Sequence, residues 1–281
     1  TDLAIVKNKE STPVWLWSSR LTNTGYLSSN AATSETAAGT TILQAIPWDV
    51  MDGVKVGTTS TITNASSNTF INYLFKRAPS FFDVVCYTGT GVARTINHNL
   101  GVAPELMIVR SRSAAANWEV YAAPLGATKY LRLDLTSAAG TYSDFWNDTA
   151  PTASVFTVAT DSDVNGSGRT QVAYLFATCA GVSKVGSYTG TATTLQIDCG
   201  FTAGARFVLI KRTNSTGDWY VWDTARGIVS GNDSYLLLNS TAAEVTSTDY
   251  IDTYSAGFEI SSTAPAAINA SGGAFIFLAI A

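Results

Sequence analysis

Asp161, Asp163 and Asn165 stand in the run Asp161-Ser162-Asp163-Val164-Asn165-Gly166, with side-chain oxygens at alternate positions before a glycine. A calcium loop of the EF-hand kind opens this way, the oxygens ligating the ion and the glycine allowing a sharp turn. The twelfth position should supply a bidentate carboxylate, but it is Val172, and no helices are expected on either side. The run therefore reads as an Asx-rich hairpin turn. It becomes a calcium site only if another loop contributes ligands.

Two carboxylate pairs, Asp144 with Asp148 and Asp249 with Asp252, lie beside aromatic residues. Glycoside hydrolysis needs two carboxyl groups at a fixed separation, and a spacing of three or four residues in a loop does not set one. An acid next to a ring also suits sugar binding, where the ring packs on the C–H face of a pyranose and the carboxylate accepts from hydroxyls. Tyr142, Asp144, Trp146 and Asp148 are accordingly the candidate glycan or partner surface. Trp48 and Tyr254 are further aromatic candidates for a surface patch. The single histidine, His98, sits in an Asn-flanked turn before Leu100-Gly101, where its side chain is expected to satisfy turn backbone groups. No nucleophile elbow or phosphate loop occurs, so no catalytic residue and no cofactor are assigned.

The composition narrows the classes further. With 17 basic and 21 acidic residues in 281 the net charge is −4, which offers no footprint for a phosphate backbone or an anionic membrane surface. The longest apolar run, Ala274 to Ala281, is far short of a membrane span and reads as a final buried strand. No signal peptide is expected at Thr1. Cys86, Cys179 and Cys199 are odd in number and lack ligand spacing, so they read as small buried apolar residues.

These residues are carried by a chain that repeats itself. Tyr87 and Tyr188, Ile96 and Ile197, Arg110 and Lys211, Trp118 and Trp219, and Tyr121 and Trp222 all lie 101 apart. An earlier copy aligns Ile5 with Ile108 at 103, Trp17 with Tyr121 at 104, and Tyr26-Leu27 with Tyr130-Leu131. Asn64, Asn165 and Asn269 follow in order, then Asn72-Tyr-Leu-Phe, Ala173-Tyr-Leu-Phe and Phe275-Ile-Phe-Leu. The chain divides at about residues 1–80, 81–180 and 181–281. Copies two and three open with a hairpin-like lead-in that copy one does not show. Either residues upstream of Thr1 belong to the intact protein, or a neighbouring chain or copy covers the gap.

Short alternating apolar runs between Gly, Asn, Asp, Ser and Thr clusters predict β structure almost throughout. In copy three, strands are expected near 184–188, 195–198, 207–211, 219–222, 235–238, 258–260 and 275–280. The fold class is all-β, three tandem pseudo-equivalent antiparallel sandwich-like units. A threefold pseudosymmetric β-prism or one fused assembly is the alternative. Recurring aromatics are expected in the core.

The segment Tyr87-Thr-Gly-Thr-Gly, Ala93-Arg-Thr-Ile-Asn-His-Asn-Leu-Gly-Val-Ala-Pro104 and Met107-Ile-Val-Arg110 resembles a repeated domain of unassigned function in bacteriophage tail proteins. Gly126 to Leu131, Asp223 to Gly227 and Asn269 to Gly272 follow that pattern, and copy three departs from it with Asp198-Cys-Gly in place of the histidine turn. The resemblance covers the chain as three copies, the first incomplete. It implies a non-enzymatic structural component of a virion, tail- or fibre-associated, located in the extracellular particle. Other virion proteins and further copies of the chain are the expected partners, with no nucleic acid and no membrane. A host-surface glycan-binding module and a capsid decoration protein are the alternatives.

Overall fold

A computed structural model describes residues 1–45, 47–50 and 53–281. Unit one contains β1 (Leu3–Asn8), β2 (Leu16–Ser19), β3 (Gly25–Tyr26), β4 (Thr36–Ala37), the helical turn α1 (Gly39–Ile42) and β5 (Phe70–Phe75). Unit two follows with β6 (Phe82–Thr88), β7 (Arg94–Asn97), β8 (Leu106–Ser111), β9 (Glu119–Ala122), β10 (Lys129–Arg132) and β11 (Gly140–Thr141). It continues through α2 (Ser143–Trp146), β12 (Val155–Val158), α3 (Ser162–Asn165) and β13 (Thr170–Phe176). Unit three runs through β14 (Ser183–Thr189), β15 (Leu195–Asp198), β16 (Phe207–Arg212), β17 (Trp219–Asp223) and β18 (Asp233–Leu237). It closes with β19 (Val245–Thr248), β20 (Ile251–Tyr254), β21 (Gly257–Ile260), α4 (Ala266–Asn269) and β22 (Ala274–Ile280).

The sheets are antiparallel, and their orders repeat. Unit two forms β11-β10-β9-β8-β13-β6, and unit three forms the matching β19-β18-β17-β16-β22-β14. A second layer, β12-β7 in unit two and β15-β21-β20 in unit three, covers the outer face of each. Unit one forms β2-β1-β5, with β3 joined through a Trp17–Leu27 bridge, and has no counterpart of the β6–β7 lead-in hairpin among its described residues. The expected strands of unit three are present, and β19 and β20 are additional. β19 (Val-Thr-Ser-Thr) lies largely exposed and β20 (Ile-Asp-Thr-Tyr) buries only Ile251 fully, so neither carries a run of apolar residues.

The central strands are apolar on both faces because both faces are covered. Along β8, Leu106 and Ile108 point into a core shared by all three units, while Met107 and Val109 point into a core private to unit two. β13 alternates likewise, with Val172, Tyr174 and Phe176 central and Ala173 and Leu175 outward. In β22, Ile276 and Leu278 are central and Phe275, Phe277 and Ala279 outward. Each larger unit is thus a sandwich, and the three main sheets turn their inner faces onto one common core.

Strand register corrects two alignments made on sequence alone. The pairs Leu3 with Phe75, Leu106 with Phe176 and Phe207 with Ile280 occupy one position in the three units. Trp17 therefore corresponds to Val120 and Val221, not to Tyr121, and the counterpart of Trp118 and Trp219 is Trp15. Trp17 lies in the central core against Trp118 and Tyr174, with ring centroids 5.2 and 5.4 Å away. Tyr121 and Trp222 face the outer cores instead. By the same register Ala173 corresponds to Phe277, two residues beyond the Phe275 chosen from the motif.

Buried polar side chains join the units head to tail. The Trp15 indole N–H donates to Leu237 O at 2.9 Å, Trp118 to Ser28 O at 3.0 Å, and Trp219 to Arg132 O at 2.8 Å. Three fully buried cations, Lys7, Arg110 and Lys211, share one position and follow the same circuit. Lys7 Nζ donates to Thr241 O at 2.9 Å, Arg110 to Thr33 O, and Lys211 Nζ to Thr136 O at 3.0 Å. Backbone bonds run the other way: Glu35 N to Arg112 O, Ala139 N to Thr213 O and Glu244 N to Lys9 O. Each unit thus grips both of the others, and the ring is closed.

Candidate interaction surface

The proposed glycan surface does not survive as one patch. The one-turn helix α2 directs Phe145 and Trp146 inward together, and Trp146 is fully buried, edge-on to Tyr121. Its ring cannot stack on a sugar. Asp148 and Tyr142 are exposed, and Asp144 is half-buried. Tyr142 lies near the carboxylates of Asp144 and Asp161, which brings two of the sequence candidates together without an accessible indole. Trp48 is also buried, its N–H donating to Asn23 O at 2.9 Å.

The calcium-like run is a capped turn. Asp161 Oδ1 accepts from Asp163 N at 2.7 Å and so N-caps α3. Asp163 Oδ2 accepts from Asn117 N at 3.1 Å. Asn165 is fully buried, donating to Val92 O and Ala159 O at 2.7 and 2.6 Å and accepting from Thr90 N at 3.0 Å. Its oxygen is thus committed to the lead-in hairpin. Among the described residues no group of three His, Cys, Asp or Glu side chains gathers as a metal set. Adding calcium or EDTA is expected to leave the melting temperature unchanged, and a calcium-dependent rise would restore the ion-binding reading. Asn165→Ala should cost about 2 kcal/mol in urea unfolding, because three backbone groups lose their partner.

His98 behaves as a turn residue. Its Nδ1 accepts from Leu100 N and its Nε2 faces Thr152 O, both at 3.2 Å, and burial pushes its pKa down while the Thr152 carbonyl opposes the shift. All three cysteines are free, and burial raises the Cys199 thiol to about 12. Asp249 precedes β20 and Asp252 lies within it, accepting from Gly231 N at 3.2 Å.

A further surface, where unit one lacks the lead-in hairpin among its described residues, lies along β5. In unit two β6 pairs with β13 over seven positions, and in unit three β14 pairs with β22 over seven. Among the described residues β5 pairs only with β1. Leu74 is 45% exposed, whereas its counterparts Leu175 and Ala279 are fully buried. Asn72 is exposed where Ala173 and Phe277 are covered. A cleft of about 270 Å³ runs beside this edge to the central core, lined by Tyr73, Phe75, Phe81, Phe207, Asp223 and Ile280 among others.

One wall of the cleft holds a buried ionic cluster. Arg226 donates from Nε to Asp223 Oδ2 at 2.6 Å, reaches Glu244 at 3.4 Å, and donates to the Tyr73 hydroxyl at 3.0 Å. Tyr73 in turn donates to Asp223 Oδ2 at 2.8 Å. Desolvation raises the Tyr73 pKa well above its ordinary value, so the phenol is neutral and serves as a donor. Perturbed groups in a cleft suggest chemistry, but each of these pairs with another across the seam between units one and three. Their common effect is to hold the cleft's wall in place.

A family model described as a domain of unknown function (DUF7483) matches residues 20–281. No curated protein and no solved structure matches the chain.

Proposed function

We propose, from the premise that this chain belongs to the DUF7483 family of unknown function, that it is a non-enzymatic structural component of a bacteriophage virion, associated with a tail or fibre. The observation that carries this reading is the closed ring of inter-unit bonds. Lys7, Arg110 and Lys211, residues that elsewhere could bind anions or activate nucleophiles, are spent on backbone carbonyls of adjacent units. The ring makes one rigid block with an open sheet edge, as an assembly part requires. Other virion proteins and further copies of the chain are its partners in this reading.

The virion assignment rests on the resemblance of the Tyr87 to Arg110 segment to repeated domains of phage tail proteins, and the fold suits it. The glycan-binding alternative loses its anchor with Trp146 buried. An electron cryomicroscopy map of a particle whose genome encodes the chain tests the proposal. Density for the block at repeated positions, in contact with neighbouring proteins, is the expected result. A particle that lacks the chain altogether would overturn it.

A further inference from the structure

The lead-in hairpins of units two and three are held by the same clasp, and every part of it has a physical reason. The Tyr87 hydroxyl donates to Val164 O at 2.5 Å and the Tyr188 hydroxyl to Ile268 O at 2.7 Å. Three residues past each tyrosine, Thr90 N and Thr191 N donate to the Oδ1 atoms of Asn165 and Asn269 at 3.0 and 2.9 Å. Between them Gly89 and Gly190 press on the asparagine turn. A Cβ at Gly89 would lie 2.3 Å from Gly166 O, and one at Gly190 would lie 2.3 Å from Ala270 O. The Tyr-Thr-Gly-Thr motif is thus a hydroxyl, a close approach and an N–H, all presented to one turn.

Unit one has the receiving half of this clasp. Asn64 donates to Gly57 O at 2.8 Å, just as Asn165 does to Ala159 O and Asn269 to Ser261 O. The turn after it takes the same left-handed residue, Ser67 at φ 64° matching Gly168 at 72° and Gly272 at 69°. Among the described residues no donor reaches Asn64 Oδ1. Next to this turn runs the open edge of β5 with exposed Leu74. The cleft lies along β5 as β6 and β14 lie along β13 and β22, where Phe82, Val84 and Val185 enter the central core.

We infer that the β5 edge is a docking site for an added strand of the lead-in type, carrying a Tyr-Thr-Gly-Thr clasp and supplied by a polypeptide segment other than these 281 residues. The inference rests on the interface-forming reading above for the kind of partner, a fellow component of the assembly. The strand pairs antiparallel with β5, sends alternate apolar side chains into the cleft, covers Leu74 with its outward face and locks on Thr63 O and Asn64 Oδ1. A second copy of this chain is a poorer occupant. Its β5 brings no clasp to Asn64, and its own two clasps are engaged within units two and three.

The test uses the full chain and a fluorescent peptide with the sequence of residues 82–97 carrying Cys86→Ser, followed by anisotropy and by amide hydrogen exchange. Saturable binding with new protection at Phe70, Asn72 and Leu74 is expected. Gly89→Ala in the peptide should weaken binding at least tenfold, roughly the effect of losing one close-packed contact and its hydrogen bond. Leu74→Lys in the chain should weaken it as much, and Asn64→Ala less. Both positions are exposed, so unchanged circular dichroism separates lost docking from lost folding. Equal binding of a scrambled peptide, or no protection at β5 at saturating peptide, overturns the inference. Protection of β5 that grows with the chain's own concentration overturns it in favour of pairing between copies. None of these outcomes depends on whether a particle contains the chain, so the virion reading fails or stands separately.

Discussion

Trp118→Ala is expected to lower the stability of the whole chain by about 3–5 kcal/mol, the usual cost of truncating a fully buried tryptophan. The indole fills the central core between Trp17 and Tyr174, packs under the Arg110 guanidinium at 5.7 Å, and donates to Ser28 O in unit one. Removing it opens a cavity that all three sheets line and strips a carbonyl in another unit of its donor. Trp118→Phe keeps most of the volume and loses the donor, so it should cost about 1–3 kcal/mol. Trp222→Ala removes a ring of equal size from the outer core of unit three, where its N–H donates to Asp233 within the same unit. Urea unfolding followed by fluorescence and hydrogen exchange separates the two cases. Trp118→Ala should shift one cooperative transition, while Trp222→Ala should first release the amides of β15, β20 and β21. Two transitions in the Trp118→Ala variant, with units one and three unmoved, would mean that the shared core does not couple the units.

The strands and their repetition were legible because period-two alternation and turn composition are local signals, and because one constant spacing of 101 links units two and three from Tyr87 to Tyr121. Arg110 and Lys211 were visible as a pair at that spacing. Lys7 was not, although the 103 offset that aligns Ile5 with Ile108 also places Lys7 on Arg110 and Trp15 on Trp118. Keeping one offset along β1 and β2, rather than choosing the nearest aromatic, was the signal that could have found them. Their acceptors in the other units are backbone carbonyls 75 to 234 residues away, and a carbonyl has no letter in the sequence.

Trp146 was misread for a related reason. Acids and asparagine around a ring imitate an exposed binding loop, but one turn of helix places consecutive residues 145 and 146 inward and leaves Asp148 outside. The open β5 edge was half legible. The absence of a lead-in before β1 was noticed, but the matched Asn64 turn becomes a receiving site only when register shows which backbone groups it faces.

Glu119→Gln is expected to remove most of the chain's loss of stability between mildly acidic and mildly alkaline pH. Glu119 is fully buried on β9; its Oε1 accepts from Arg132 Nε at 2.9 Å, and its Oε2 is buried without a partner. Burial pushes its pKa up to about 8, and Arg132 only partly offsets this. A carboxyl whose folded pKa lies above its unfolded value holds a proton longer in the native state. Its contribution is therefore complete below about pH 4.5 and is lost as pH rises toward 8. At roughly 1.4 kcal/mol per pKa unit the loss is on the order of 4 kcal/mol. Glutamine copies the neutral form and keeps an acceptor for Arg132. The variant should match the native chain near pH 5 and exceed it progressively to pH 8. Above that, both chains should gain stability, since burial lowers Lys7 and Lys211 to about 8, and the native state then releases protons that the unfolded chain holds to about 10.5. Urea midpoints measured from pH 5 to 10 should thus show a trough near pH 8 in the native chain that is shallow in Glu119→Gln. Parallel curves from pH 5 to 8 would place the Glu119 proton at an ordinary carboxyl pKa and make the buried Arg132 pair, rather than desolvation, the dominant influence on it.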